Sequence, residues 1–458
     1  MKEENEQVGE TKPAEEPERV VILECSLTFS LRDEAGSEKA AGEGQAQLDR
    51  DALSVQPKFG EALYFSLRDV LTLSEADFEV HLSLPDKEEL VIRDLGYRHE
   101  DFLKNLSRQR SEVLLRDMLM DENLLDSGAE AELHYLNESG QEVEKGTCEP
   151  RLYETALVIL PELGDPIRIP YSLTADVGAE DYVLAISTEF GEKIILSQMG
   201  GRFQPFCKRL AESISALSLK AQSILKELLP EASPAVIREA ARLMKDGKAA
   251  RKGDLDAIAP PLSAALESKM EAAGLKDSYS FLKSLSQHDD LFVGLKRGLL
   301  GDLTGEYIWF LIPFYGGDGK PANAIAMEAA SDCGGGKATY FFRIVGRGYP
   351  NLNDPEDLRR RTAELIKQMN RCLITVNFRR EPIYLAEDEL NTPRYSRYRF
   401  AIQKLPPLQM LRRHFIGRVI HLSPEQWEKD VADLLNFNTA VGDDSAKWTK
   451  GRGEGEAT

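Results

Sequence analysis

A chain of 458 residues is too long for one ordinary hydrophobic core and implies three or four domains. It holds no apolar run of the roughly 18 to 20 residues needed to span a bilayer, the longest, residues 307–315, being interrupted by Pro313. Its acidic, polar start has neither the basic nor the apolar segment of a secretory signal, so a cytoplasmic protein that does not enter the membrane is expected. The five cysteines, Cys25, Cys148, Cys207, Cys333 and Cys372, are odd in number and widely spaced. They fit neither a disulfide framework nor a Cys-x-x-Cys zinc site, and read as reduced thiols. The formal charge of −20 is uneven: residues 340–437 hold 17 Lys and Arg against 12 Asp and Glu, and the first 339 residues carry −24. The N-terminal part therefore repels nucleic acid and anionic lipid and attracts basic partners, and the C-terminal part has the opposite preference.

Residues 1–18 have too few apolar side chains to fold and read as a disordered acidic tail. Beyond them Val21, Leu23, Cys25, Leu27, Phe29 and Leu31 recur at every second position, the period of a half-buried strand. Residues 33–44, rich in Gly, Ala and Glu, read as a loop, and 47–56 as a second strand. A turn at Lys58-Phe59-Gly60-Glu61 precedes strands at 63–65, 70–73, 78–84 and 90–92. A helix from Glu100 then buries Phe102, Leu103, Leu106, Val113, Leu114 and Met118.

The plan returns 104 positions later. Gly96-Tyr97-Arg98 recurs as Gly200-Gly201-Arg202, and residues 52–106 match 156–210 at 12 of 55 pairs. Mismatches keep chemical type at alternate positions, as in Val55/Ile159, Phe65/Ile169 and Leu82/Ile186, so a buried face has been copied. The second helix continues the stripe through Phe206, Leu210, Ile214, Leu217 and Ile224. Modules at 19–125 and 126–229 follow, each with strands first and a helix last, the order of an antiparallel roll whose open end the helix covers. Arg98/Arg202 and Lys104/Lys208 are retained with Asp77/Asp181 and Glu88/Glu192, and are expected to pair with those acids as scaffold.

This order of six or seven short strands and a helix, about one hundred residues per unit, resembles the pleckstrin-homology superfold over residues 20–228. Tandem modules of that superfold occur in bacterial proteins of unknown role and in histone-chaperone subunits, where they bind proteins, and the resemblance implies a binding module. Its phosphoinositide-binding members use a basic first hairpin, whereas both first hairpins here, around Asp33-Glu34 and Asn137-Glu138, are acidic.

Residues 230–300 turn to Ala, Leu, Lys and Glu and read as a helical connector, with helices at 234–244, 261–273 and 278–286 and Ser233 and Asp277 as N-caps. Residues 301–437 form an α+β C-terminal domain: a meander at 307–314, 324–327 and 338–345, a helix capped by Asp354, short strands near 375–378, 383–385, 398–403 and 419–421, and a last helix begun by Ser423-Pro424-Glu425. Residues 438–458 read as a second disordered tail. The fold class is α+β multidomain.

No catalytic or metal motif stands out. Gly334-Gly335-Gly336-Lys337 lacks the hydroxyl residue and the following helix of a phosphate loop and reads as a turn. Asp302, Thr304 and Glu306 could form an acid–base or cation site, and Gln287-His288-Asp289-Asp290 a lone ligand cluster, but helix ends and turns explain both. The candidate binding residues are arginines: Arg394, Arg397 and Arg399, expected on a strand with a cationic face, together with Arg343 and Arg347 and the runs at Arg359, Arg379 and Arg412. The preferred expectation is a non-enzymatic protein-binding or scaffolding protein that binds a protein partner or itself and needs no cofactor. The alternative is an enzyme, or an anionic-ligand or nucleic-acid binder, with its site in the Arg-rich C-terminal domain.

Overall fold

The structure, a computed structural model, describes residues 20–119, 122–286, 290–298, 305–317, 320–331, 338–352, 354–440 and 442–449. The chain divides into two compact units, residues 1–113 and 114–458. The N-terminal stretch 1–18, the Gly334 loop, Asp302, Thr304 and His288 lie outside the described residues.

The first unit is one antiparallel sheet of seven strands: β1 (Leu23–Arg32), β2 (Glu38–Leu48), β3 (Ala52–Pro57), β4 (Leu63–Ser66), β5 (Thr72–Ala76), β6 (Glu79–Ser83) and β7 (Glu89–Arg93). Their order is β4-β3-β2-β1-β7-β6-β5, followed by helix α1 (His99–Leu119). The alternating residues Cys25, Leu27, Phe29 and Leu31 join Leu53, Val55, Val80, Leu82 and Ile92 under Phe102, Leu103 and Leu106 of α1. Each such fully buried aliphatic or aromatic side chain contributes about 1.5–3 kcal/mol by leaving water.

The second unit opens with β8 (Leu124–Asp126) and repeats the roll as β9 (Ala131–Leu136), β10 (Glu142–Tyr153), β11 (Ala156–Pro161), β12 (Ile167–Pro170), β13 (Thr174–Glu180), β14 (Val183–Thr188) and β15 (Lys193–Ser197), then α2 (Phe203–Leu228). The order β12-β11-β10-β9-β15-β14-β13 is that of the first sheet. The pairing register is copied too. Arg32 faces Glu38 and Glu89 as Leu136 faces Glu142 and Lys193, and Ala52 faces Ser66 as Ala156 faces Pro170. Two of the repeated letters now have backbone causes. Asp77-Phe78 and Asp181-Tyr182 all have positive φ and form two-residue hairpin turns, a conformation Asp tolerates better than most residues. Gly96 and Gly200 have φ of 54° and 53°, with open space where a Cβ would project. Gly96→Ala and Gly200→Ala should therefore each destabilise by about 1–2 kcal/mol through the left-handed backbone alone, measured as a shift in urea midpoint with unchanged slope.

The rest of the second unit is a sheet covered on both faces. The connector supplies α3 (Pro234–Leu243), β16 (Ala250–Arg251), α4 (Lys252–Ile258), α5 (Pro260–Ala272) and α6 (Lys276–Leu285). There follow β17 (Phe292–Arg297), β18 (Glu306–Gly317), β19 (Lys320–Ser331), β20 (Ala338–Arg343), α7 (Pro355–Thr375), α8 (Glu381–Tyr384), α9 (Glu387–Leu390), α10 (Arg399–Lys404), α11 (Pro406–His414), β21 (Phe415–Ile420) and α12 (Pro424–Thr439). Strands β16 to β21 lie in sequence order. Trp309 and Leu311 face the core with α7, α8, α10 and α11, while Ile308, Phe310 and Ile312 face the core with the connector helices and α12. The apolar run at 307–315 is therefore a central strand buried on both sides. Helix α2 serves two cores, with Phe206 and Leu210 against the second roll and Ile224 and Leu225 in the connector core.

The structure departs from the sequence expectations at definable places. Residues 38–44 are strand, because small residues that give no apolar alternation still pair along β1, and Gly44 lets Gln56 O approach to 2.7 Å of where a Cβ would sit. The expected strand at 47–56 is two, broken where Asp49 Oδ1 accepts the amides of Asp51 and Ala52. Strands expected at 375–378, 383–385 and 398–403 are instead a helix end, α8 and a 3-10 turn running into α10. Pro382 at the start of α8 and the consecutive buried residues Phe400, Ala401 and Ile402 belong to helices, which a period-two reading does not capture. Asp277 lies inside the first turn of α6, two positions past the N-cap residue Leu275, whereas Ser233, Asp354 and Ser423 cap as expected. Residues 442–449, within the segment read as a disordered tail, are bonded to the C-terminal sheet: Trp448 N donates to Ile416 O at 2.8 Å.

Candidate interaction sites

The retained basic residues do not pair with the retained acids. Arg202 bonds Asp126 Oδ1 and Ser127 O at 2.8 and 2.9 Å, Arg98 lies over Tyr97, and Lys104 pairs with Glu100. The acids are used differently in the two copies. Glu34 and Glu88 pair with Lys87 and Lys39 of their own roll. Their counterparts Glu138 and Glu192 both take Arg371 of α7, Glu192 at 2.8 Å.

That contact belongs to a continuous seat of the second roll on the C-terminal domain. At its centre Arg168 of β12, with a side chain 1% exposed, donates to the α7-terminal carbonyls of Ile374 and Thr375 at 3.0 Å, to Asn377 Oδ1 at 2.8 Å and to Glu122 Oε1 at 2.9 Å. A guanidinium suits this place because the last carbonyls of a helix lack partners and carry its negative pole. Around it Lys404 pairs with Asp165 at 3.1 Å and Lys248 with Glu189 at 2.6 Å, while Phe190 lies under Arg371 and Lys367. Leu173 enters the C-terminal core itself. At the equivalent positions of the first roll Arg168, Leu173 and Phe190 become Tyr64, Asp69 and Asp86. The copy keeps the fold and lacks the seat.

The arginines singled out in the sequence fall into separate groups. Arg343 and Arg347 converge, but on the chain's own end: Arg343 is buried and bonds Asn438 Oδ1 at 2.8 Å and Asp444 O at 3.0 Å. Arg347 bonds Asp443 O and Phe437 O at 2.9 Å. Arg394 and Arg397 stack on Tyr395 and Tyr398, and Arg399 reaches Leu390 O and Asn391. They stand on turn and helix, so the cationic strand face expected of Arg394, Arg397 and Arg399 does not form. Arg359 pairs with Asp290, Arg361 with Asp357, and Arg412 caps α8. Glu306 pairs with Arg297 and Lys269 in an ion network that also takes in Glu227.

Two polar centres in the C-terminal domain were not visible in sequence. Glu328, with zero exposure, accepts from Ser278 Oγ at 2.9 Å and Thr339 Oγ1 at 2.8 Å and pairs with His421 Nε2 at 3.1 Å. His421 stacks on Trp427, whose indole N–H donates to Thr339 at 3.0 Å. The second centre lies on the other face of the sheet. Arg380 is over Tyr340 at 5.8 Å and Arg418 over Tyr384 at 4.0 Å, with the two tyrosine rings 5.9 Å apart. Burial pushes Tyr307 up to about 12 and also raises Tyr340 and Tyr384, so all three are neutral hydrogen-bond donors. Tyr384 and Arg418 also line a cavity of about 560 Å³ beside β21.

Among the described residues no reactive thiol emerges. Burial pushes Cys148 up to about 12 and Cys372 still higher, away from thiolate chemistry. His414 is a pH reporter for the clamped chain end. Burial lowers its pKa, and Nδ1–H donates to Arg343 O at 2.6 Å. The unfolded chain gains a proton near the ordinary value of 6.5 that the folded site resists. Stability should therefore fall as pH drops through and below that value, and His414→Gln should flatten this part of a pH–stability curve.

Among the described residues no helix is long and apolar enough to cross a membrane, and no cluster of three or more His, Cys, Asp or Glu could hold a metal ion. No family model matches the chain. No curated protein matches it in sequence. Among solved structures, the C-terminal domain of an unknown protein from Leishmania infantum is similar over 22% of this chain and 97% of its own, at 16% identity and a TM-score of 0.18. The Spt16D Pob3N heterodimer is similar over 37% of this chain and 85% of its own chain, at 13% identity and a TM-score of 0.15. Likeness at these scores carries no argument about what the present chain does; the in-chain seat of the second roll is the interaction that the geometry displays.

Proposed function

We propose that this is a non-enzymatic, cytoplasmic protein-binding or scaffolding protein whose two pleckstrin-homology-like rolls are docking modules. The supporting observation is the seat of the second roll: acids on its hairpins and Arg168 on its edge strand hold a helical protein surface. The strongly acidic N-terminal three-quarters, at −24 over 339 residues, favours a basic partner surface. The first roll, which lacks the residues of that seat, is the module assigned to a partner outside the chain, with Phe59 and Tyr97 among its exposed aromatics.

The test is a pull-down with the full chain at moderate salt, paired with light scattering for self-association. A retained partner that is lost when Phe59 and Tyr97 are both changed to Ser supports the reading. Recovery of no partner, with a monomer in scattering, counts against it.

A further inference from the structure

The face of the C-terminal sheet that carries Tyr307, Tyr340 and Trp309 is packed under α7 and α8, and most polar atoms there are satisfied. Two features are not. The hydroxyl of Tyr307, a residue only 3% exposed, has no hydrogen-bond partner. A buried hydroxyl left without a partner is costly, which is why such groups point to water or ligand. Beside it, Arg380 and Arg418 pair with no carboxylate among the described residues; each is held against a tyrosine ring. Glu381, next to Arg380 in the chain, acts electrostatically on Arg380, Tyr340 and Tyr384 but is not in ion-pair contact with either arginine. Asn377 and Phe378, with φ of 49° and 59°, turn the chain out of α7 so that Arg380 is presented to this face. Tyr307 packs edge-on against Phe378 at 5.4 Å.

We infer that Arg380, Arg418 and the hydroxyls of Tyr307, Tyr340 and Tyr384 form a binding site for a small phosphate oxyanion, either inorganic phosphate or the phosphoryl group of a small phosphomonoester. Two guanidinium groups match a dianion in charge, and their planar donor forks, with three phenolic O–H groups, supply the several donors that a tetrahedral oxyanion accepts and a carboxylate does not need. The ring of Tyr384, which packs on Tyr340 at 5.9 Å, lines the cavity beside β21 and offers an apolar surface suited to the organic part of a monoester. Binding would give the Tyr307 hydroxyl an acceptor and the two arginines a counter-ion. This site is independent of the protein-docking role of the rolls.

The experiment is calorimetric titration of the full chain with inorganic phosphate and with phenyl phosphate, against chloride at matched ionic strength. A saturable heat is expected with at least one phosphate probe and none with chloride. Tighter binding of phenyl phosphate assigns a monoester, and equal or weaker binding assigns inorganic phosphate. Arg418→Gln, at an exposed position, should weaken affinity about tenfold or more. Tyr307→Phe should weaken it about fivefold while raising the melting temperature of the unliganded protein, because an unpartnered buried hydroxyl is removed. Absence of saturable heat at millimolar phosphate or phenyl phosphate would overturn the site. So would affinity unchanged in both Arg418→Gln and Tyr307→Phe.

Discussion

Arg168→Ala is expected to cost about 3–5 kcal/mol, among the largest effects of any single substitution in the chain. The side chain and its partner Glu122 are 1% and 2% exposed, so removal strands a buried carboxylate. It also removes one donor each from the carbonyls of Ile374 and Thr375 and from Asn377 Oδ1. Arg168→Lys should recover little, because a single ammonium does not reproduce a fork that reaches five partners at once. Arg168→Leu should be less damaging when paired with Glu122→Leu, since replacing both members of a buried pair avoids the stranded charge. Denaturant unfolding monitored by Trp309 fluorescence and by circular dichroism measures this. In the variant the two probes should separate, as the second roll loses its seat before the C-terminal sheet melts.

Glu328→Ala should be comparably severe, about 3–5 kcal/mol. Three groups converge on that carboxylate from three elements: Ser278 from α6, Thr339 from β20 and His421 from the end of β21. Trp427 of α12 is tied in through Thr339 and through its stack on His421. The network thus joins β19, β20 and the β21 edge of the sheet to α6 and α12, and its loss should loosen both helices as well as the strands. Glu328→Gln keeps one acceptor oxygen but sets an amide against the ring N–H or the hydroxyls, and should cost about 1–3 kcal/mol. Thermal melting with Trp427 as a near-ultraviolet probe distinguishes the two variants.

How much of this was legible from sequence depends on whether a residue's partner is near in the copied pattern. The rolls were legible because alternation and a 104-residue offset repeat the same face twice, and the register confirms the offset residue by residue. The strand at 38–44 was not, since Ala and Gly in a strand carry no hydrophobic signal and pairing is supplied by the neighbouring backbone. Arg168 was invisible for a different reason: its partners in the C-terminal domain lie more than 200 positions away, and its counterpart in the first copy is Tyr64, so the duplication itself hid it. Arg343 and Arg347 were grouped with Arg394, Arg397 and Arg399 as candidate binding residues, but the acceptors they meet, Asp443 and Asp444, sit in a segment whose composition resembles a free tail. The Arg-Tyr alternation at 394–400 suggested a strand, and the buried pair Ala401-Ile402 that makes it a helix start falls just beyond the motif. Tyr307, Arg380 and Arg418 come from three distant segments, and only the fold places them on one face.

The proposal of a docking role for the second roll rests on its grip on a protein surface through its hairpin acids. A double-mutant cycle between Glu192 and Arg371, using Glu192→Gln, Arg371→Met and the double variant in urea unfolding, tests it most directly. Both side chains are largely shielded, at 18% and 12% exposure, and lie 2.8 Å apart. The predicted result is a coupling energy of about 1–2 kcal/mol. Strict additivity of the two substitutions would contradict the claim.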